Sequence, residues 1–155
     1  MSTTDIIKAF IHALEAGNFE AASGYLTDDF HCSGLSPQQL DKEQFIQVIQ
    51  GLKEGIPNLA FHLQDVHALR QKPGEGEILT GTIHIVGTQT DGFILPPLGL
   101  PPIPQMAKSI SLPQEQVDFS MKENRIAMMR VHHVPGGGIK GILQQLDIDM
   151  PEIAQ

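Results

Sequence analysis

The chain has no tryptophan, one tyrosine (Tyr25) and one cysteine (Cys32) in its 155 residues. A lone cysteine excludes a disulfide framework and any zinc site built from several thiolates. Cations are also scarce: ten Lys and Arg stand against eighteen Asp and Glu, giving a net charge of -8. A phosphate backbone needs clustered Lys and Arg, and these ten are scattered, so no nucleic-acid partner is expected. No stretch approaches the roughly 18 apolar residues of a membrane span. The N-terminus lacks the basic, apolar and small-residue order of a secretory leader. No membrane partner is expected, and a cytoplasmic location is. What remains is an ordinary globular composition, 41% apolar and 18% charged, of a length that suits one domain over residues 1–155.

Three helices are predicted first. Thr3 or Thr4 can cap a helix in which Ile7, Phe10, Ile11 and Leu14 form one apolar face, with Gly17 as its left-handed end. Asn18 can cap a shorter helix through Leu26, and Thr27 to Cys32 reads as a short extended piece. Asp41 and Gln44 have capping-box spacing ahead of Phe45, Val48, Ile49 and Leu52, and Gly55 and Pro57 end that helix. From Leu59 the apolar period changes to two. A strand from Leu59 to about Gln71, a PGEG turn and a second strand from Glu77 to about Thr90 form a predicted hairpin. Strands over Ser109–Met121 and Arg125–Val134 follow, joined by a KEN turn. After Gly136, Gly137 and Gly138, a last helix carries Ile139, Ile142, Leu143 and Leu146.

Six of the eleven prolines fall between Pro96 and Pro113. The stretch ILPPLGLPPIP is apolar, yet proline bars it from a helix or a central strand. Such a loop covers a pocket mouth, packs on a partner subunit, or folds back on its own core. Helices, then long strands in meander, then a short helix make an α+β pattern. A four-to-six-stranded, mainly antiparallel sheet will curl around the N-terminal helices into a cone. A cavity inside such a cone suits a small apolar molecule.

GTQTDGF at Gly87 to Phe93, followed by the proline-rich stretch, resembles the GTHTGEF-then-IPPTG signature of SnoaL-like polyketide cyclases. NRIAMMRV, GILQQLDI and YLTDDF resemble the corresponding parts of the same family. The resemblance implies the nuclear transport factor 2-like, cystatin-like cone, and relatives such as scytalone dehydratase and ketosteroid isomerase. It also implies an intramolecular cyclisation assisted by one aspartate near the end of the last strand. That place is Val134 when aligned forward from Ile126, or Gly138 when aligned backward from the final helix. No Asp or Glu occurs from Asn124 to Leu146. A family histidine after the DDF motif falls near Ser33, and the histidine of GTHTG is Gln89 here.

The last strand offers other polar residues in the aspartate's place. By alternation Arg130, His132 and Val134 share a face. If Val134 points inward, His132 can serve as general base and Arg130 can hold an enolate or carboxylate. Otherwise His132 is hydrogen-bonded scaffold and Arg130 lies at the rim or in an interface. Candidate ligand contacts are Gln89, which donates to a ligand carbonyl or satisfies a backbone group; His84, on a polar wall or an outer face; Tyr25, in the pocket or in packing; and Met128, which with Met121 and Met129 gives an adaptable wall or core filler. No cofactor motif appears, and the adjacent His132 and His133 point to opposite faces and cannot chelate one metal. The expected function is a small apolar-ligand pocket protein, with cyclase or isomerase-type lyase chemistry using His as acid/base; the alternative is a non-catalytic ligand-binding or homodimeric interaction domain, and a homodimer is expected.

Overall fold

The structure is a computed structural model that describes residues 2–36, 38–69, 77–98 and 102–147. Helix α1 (Thr3–Ala16) starts one residue earlier than the threonines suggested. Ser2 is its cap, and Ser2 and Asp5 bond each other's backbone N–H in a capping box. Gly17 ends it at φ 77°, a left-handed position that a residue without Cβ takes at no steric cost. Helix α2 (Phe19–Gly24) is capped by Asn18, and strand β1 (Leu26–Ser33) follows. After the short β2 (Leu40–Asp41), helix α3 (Lys42–Gly55) begins at the Asp41–Gln44 capping box that the spacing predicts.

The remaining elements are β3 (Gln64–Ala68), β4 (Ile78–Ile83), β5 (Val86–Thr88), β6 (Ser109–Ser111), β7 (Glu115–Lys122), β8 (Arg125–Val131) and α4 (Gly138–Gln145). Six strands form one sheet in the order β2-β1-β8-β7-β4-β3, antiparallel except where β1 lies parallel to β8. The α+β class and the helix-backed mainly antiparallel sheet agree with the expectation. Among the described residues no helix is long and apolar enough to cross a membrane.

All four long strands are shorter than the sequence suggested, the last ending at Val131 instead of Val134. The first begins only at Gln64, after left-handed backbone at His62 (φ 45°), and left-handed Asp65 (φ 58°) falls at the irregularity between its Gln64 and His67 pairings. Ahead of it Ala60 makes a single bridge to Val86. The strands over 77–90 and 109–121 each break in two. His84 and Ile85 separate β4 from β5, whereas Leu112, Pro113 and Gln114 separate β6 from β7. The extra residue on one side bends the pair, as a bulge does, and turns β5 and β6 out of the main sheet into a two-stranded one. The PGEG turn lies outside the described residues.

Glu115, Val117, Phe119 and Met121 of β7, Ile126, Met129 and Val131 of β8, Phe30 and Cys32 of β1, and Leu79 and Ile83 of β4 are the sheet's buried, inward residues. Phe45 of α3 stacks on Phe10 at 6.1 Å and meets Phe30 edge-on at 5.4 Å. Phe10, Phe45, Leu79, Val117 and Phe119 have no exposed surface at all, so side chains fill the space between them. The proline-rich loop folds back on this core, the third of its three readings. Phe93 bridges to Ile103, and Phe93, Leu95 and Ile103 are buried. Gly51 and Gly55 of α3 make room for it: a Cβ would lie 2.2 Å from the Ile94 carbonyl oxygen at the first and 2.1 Å from the Phe93 ring at the second.

Candidate functional site

Alternation along β7 places Glu115 on the same inward face as Val117, Phe119 and Met121. It is a carboxyl among apolar neighbours, and its residue is only 1% exposed. Oε1 accepts the Gly138 backbone N–H at 3.1 Å, while Oε2 is buried and has no hydrogen-bond partner among the described residues. A buried carboxylate oxygen without a partner carries a desolvation cost, which favours the neutral acid. Burial accordingly pushes the Glu115 pKa up; the Gly138 hydrogen bond and the positive charge of a protonated His133 act against it without cancelling it.

The chain around this carboxyl is moulded to it. Helix α4 has Gly137 as its N-cap, with no side-chain cap of its own, so Glu115 supplies from β7 the acceptor that a capping side chain supplies elsewhere. Gly136 and Gly138 take φ of +83° and +68°, which favour glycine. A Cβ on Gly137 would fall 2.6 Å from the Glu115 carboxyl carbon. On the far side Ile139 N–H donates to the Leu35 carbonyl, and Leu35, Leu112 and Ile139 are all buried. A carboxyl held neutral in such surroundings can donate a proton, and its conjugate base takes one readily.

The sequence reading overlooked Glu115. The signal was present, since a period of two through Val117, Phe119 and Met121 runs back to it.

The inward direction expected for Arg130 and His132 is corrected. Met129 and Val131 are the buried, inward residues of β8, and Arg130 is exposed on the outer face. The strand ends at Val131, so an alternation counted back from Val134 had no strand to rest on. His132 Nε2 donates to Asp118 Oδ2 at 2.7 Å, and Thr80 Oγ1 donates to Asp118 Oδ1 at 2.8 Å. Burial opposes ionisation of Asp118, but hydrogen bonds from His132, Thr80 and Gln116, with the His132 charge, outweigh it and hold the carboxyl below its usual range.

The other expected residues lie apart. Met128 is half-buried on the outer face, level with His31 and Ser120. Gln89 is buried; its Nε2 donates to the Pro104 carbonyl at 2.9 Å and its Oε1 accepts the Met106 N–H at 2.7 Å, so it ties down the proline-rich loop. His84 lies 3.0 Å from Ser111 Oγ, with the His62 ring 6.1 Å away. Tyr25 closes α2 and packs half-buried against the core. Asp118, His132 and Arg130 are thus brought together on the outer face, and Gln89 and Tyr25 sit elsewhere. Three open clefts on the surface, the one between α1 and residues 60–63 among them, are not lined by Glu115. Among the described residues no three His, Cys, Asp or Glu side chains gather to hold a metal ion.

A mainly antiparallel, curved sheet backed by helices is the cystatin-like α+β fold. The chain belongs to the SnoaL-like domain family, whose model matches residues 4–92. Among solved structures, one described as a SnoaL-like polyketide cyclase from Jannaschia sp. CCS1 is similar, with TM-score 0.66 and 14% identity over 96% of this chain and 93% of that one. TsrD from Streptomyces laurentii aligns with TM-score 0.64 and 13% identity over 92% of each chain. An uncharacterized cystatin fold protein from Novosphingobium aromaticivorans gives TM-score 0.60 and 18% identity over 86% of this chain and 99% of that one. At such identities the likeness establishes the fold alone. No curated protein matches the chain.

Proposed function

We propose that the protein moves a proton on a small, largely apolar molecule, with Glu115 as the acid/base group. The observation that carries this reading is the unpartnered, buried Oε2 of an inward carboxyl. The resemblance implies an aspartate near the end of the last strand, where this chain has none. Glu115 comes instead from the neighbouring strand. Val117 pairs with Val131, so Glu115, two residues earlier, stands level with the residues just past the end of β8. In the ionised form it takes a proton from carbon next to a carbonyl, leaving an enolate and a neutral carboxylic acid. The same acid then returns the proton to carbon or oxygen. Burial helps the first step by making the carboxylate a stronger base than one in water.

Exchange in heavy water tests the reaction class without knowledge of the substrate. A panel of bicyclic aromatic ketones, 1-tetralone and 2-tetralone among them, is incubated with the protein, and deuterium uptake is read by mass spectrometry. Uptake above the protein-free control that is lost in Glu115→Gln supports the reading. Equal uptake in both proteins would count against Glu115.

A second reading is a non-catalytic, homodimeric module. The observation favouring it is the filled interior, where Phe10, Phe45 and Phe119 leave no accessible surface. It expects no deuterium uptake with any ketone and a dimer by sedimentation at micromolar concentration.

A further inference from the structure

We propose that the Gly136–Gly138 turn is a gate over Glu115, pinned shut by the carboxyl it covers. The inference rests on the reading of Glu115 as the acid/base group and adds how that group is reached. Glu115 is closed off, yet only one thickness of backbone lies above it: Gly137 lies directly against the carboxyl, and Pro135 and Gly136 beyond it are exposed. Three consecutive glycines carry no apolar side chain, so lifting the turn uncovers almost no hydrophobic surface. The rest of α4 is different. Ile139, Ile142, Leu143 and Leu146 are fully buried, and Gln145 accepts the Ser111 N–H and donates to the Ser111 carbonyl at 2.7 and 2.8 Å, so the helix body stays fixed.

Few bonds hold the turn itself. Gly137 N–H donates to Val134, within the turn, the Gly137 carbonyl accepts the Gly141 N–H of α4 at 3.2 Å, and Gly138 N–H donates across to Glu115. The next residue, Ile139, is anchored to Leu35. The Glu115 bond is therefore the tie between the turn and the sheet beneath it. Because Gly137 covers the carboxyl, a ligand reaches the free Oε2 only with the turn lifted and the Gly138 bond to Oε1 broken, so binding and opening are one event. The freed N–H of Gly138 then stands beside the ligand's oxygen.

Native-state amide exchange by NMR tests the gate on the wild type, Glu115→Gln and Glu115→Ala. Glutamine keeps an acceptor oxygen for Gly138 but cannot act as a base; alanine keeps neither. The quantity read is the exchange rate of Gly138 relative to Phe119 within the same protein, which cancels a general loss of stability. The gate predicts that Gly138 exchanges well ahead of Phe119 in the wild type. It predicts a further rise of roughly tenfold in the ratio in Glu115→Ala, and a ratio within about twofold of wild type in Glu115→Gln. A Gly138 amide that exchanges only together with Phe119, or a ratio unmoved in Glu115→Ala, overturns it. A gate that behaves as stated while Glu115→Gln retains ketone exchange removes the acid/base reading instead, so the two failures are distinct.

Discussion

Gly137 and Glu115 touch with no room between them: a methyl group on Gly137 would sit 2.6 Å from the Glu115 carboxyl carbon and 2.7 and 2.8 Å from its oxygens. One partner is backbone at the N-cap of α4, and the other is the end of a side chain rooted at the start of β7 and tied by the Gly138 N–H. An added methyl therefore makes either the carboxyl, the end of a side chain, or the Gly137 turn shift.

Gly137→Ala thus forces the carboxyl or the turn aside. The expected cost is about 1–3 kcal/mol, the usual range for an overpacked interior, measured by urea unfolding. The same substitution in a Glu115→Ala background meets no carboxyl, so its cost falls to less than half. Additive costs in the double variant would show that the contact is not the source of the strain.

The raised pKa of Glu115 makes stability depend on pH in an unusual direction. Between the ordinary value of 4.5 and the raised folded value, the native state holds a proton that the unfolded chain has lost. Stability contributed by this group thus falls as pH rises through that window, and it is fully present below it. Glu115→Gln removes this slope. Urea midpoints measured across the window in both proteins check it, and identical slopes would contradict it.

Asp118 has the opposite sign. Its pKa is held below the ordinary 3.8, so its stabilising contribution is present above that value and is lost as pH falls through the folded one. The pair with His132 is partly exposed, and His132→Ala is expected to cost no more than about 1 kcal/mol. Because His132 lies on the outer face, the same variant should change ketone exchange by less than about twofold. A loss of exchange comparable to that of Glu115→Gln would return the acid/base role to the outer face.

The helices were legible because their signals are local: the Asp41–Gln44 box and Gly17 appear as expected, and Ser2 displaced Thr3 by a single residue. The sheet was legible as a meander of its later strands, but not in its breaks or in the parallel pairing of β1 with β8. The bend at Leu112–Gln114 depends on one extra residue between two ladders, which no single strand's pattern records. The site was the least legible part. Facing direction at the end of β8 depends on where the strand stops, and Val131 is its last residue. Glu115 was visible by its parity, but the family resemblance drew attention to the wrong strand.

Gln89 stands where the resemblance has a histidine, and the structure gives it a structural task. Gln89→Ala leaves the Pro104 carbonyl and the Met106 N–H without their partner. The expected loss is about 1–3 kcal/mol, with faster proteolysis within residues 94–104 and little change in ketone exchange. Unchanged proteolysis would mean that Phe93 and Ile103 hold the loop without it.

The most direct measurement is a pH titration of the Glu115 side-chain carboxyl by carbon-13 NMR, with Glu115→Gln to assign its signal. Burial without a partner for Oε2 predicts one carboxyl that titrates above the ordinary 4.5 and is missing from the glutamine variant. A Glu115 carboxyl that titrates at or below 4.5 would mean that it sits ionised as the cap of α4, and the acid/base role would fall.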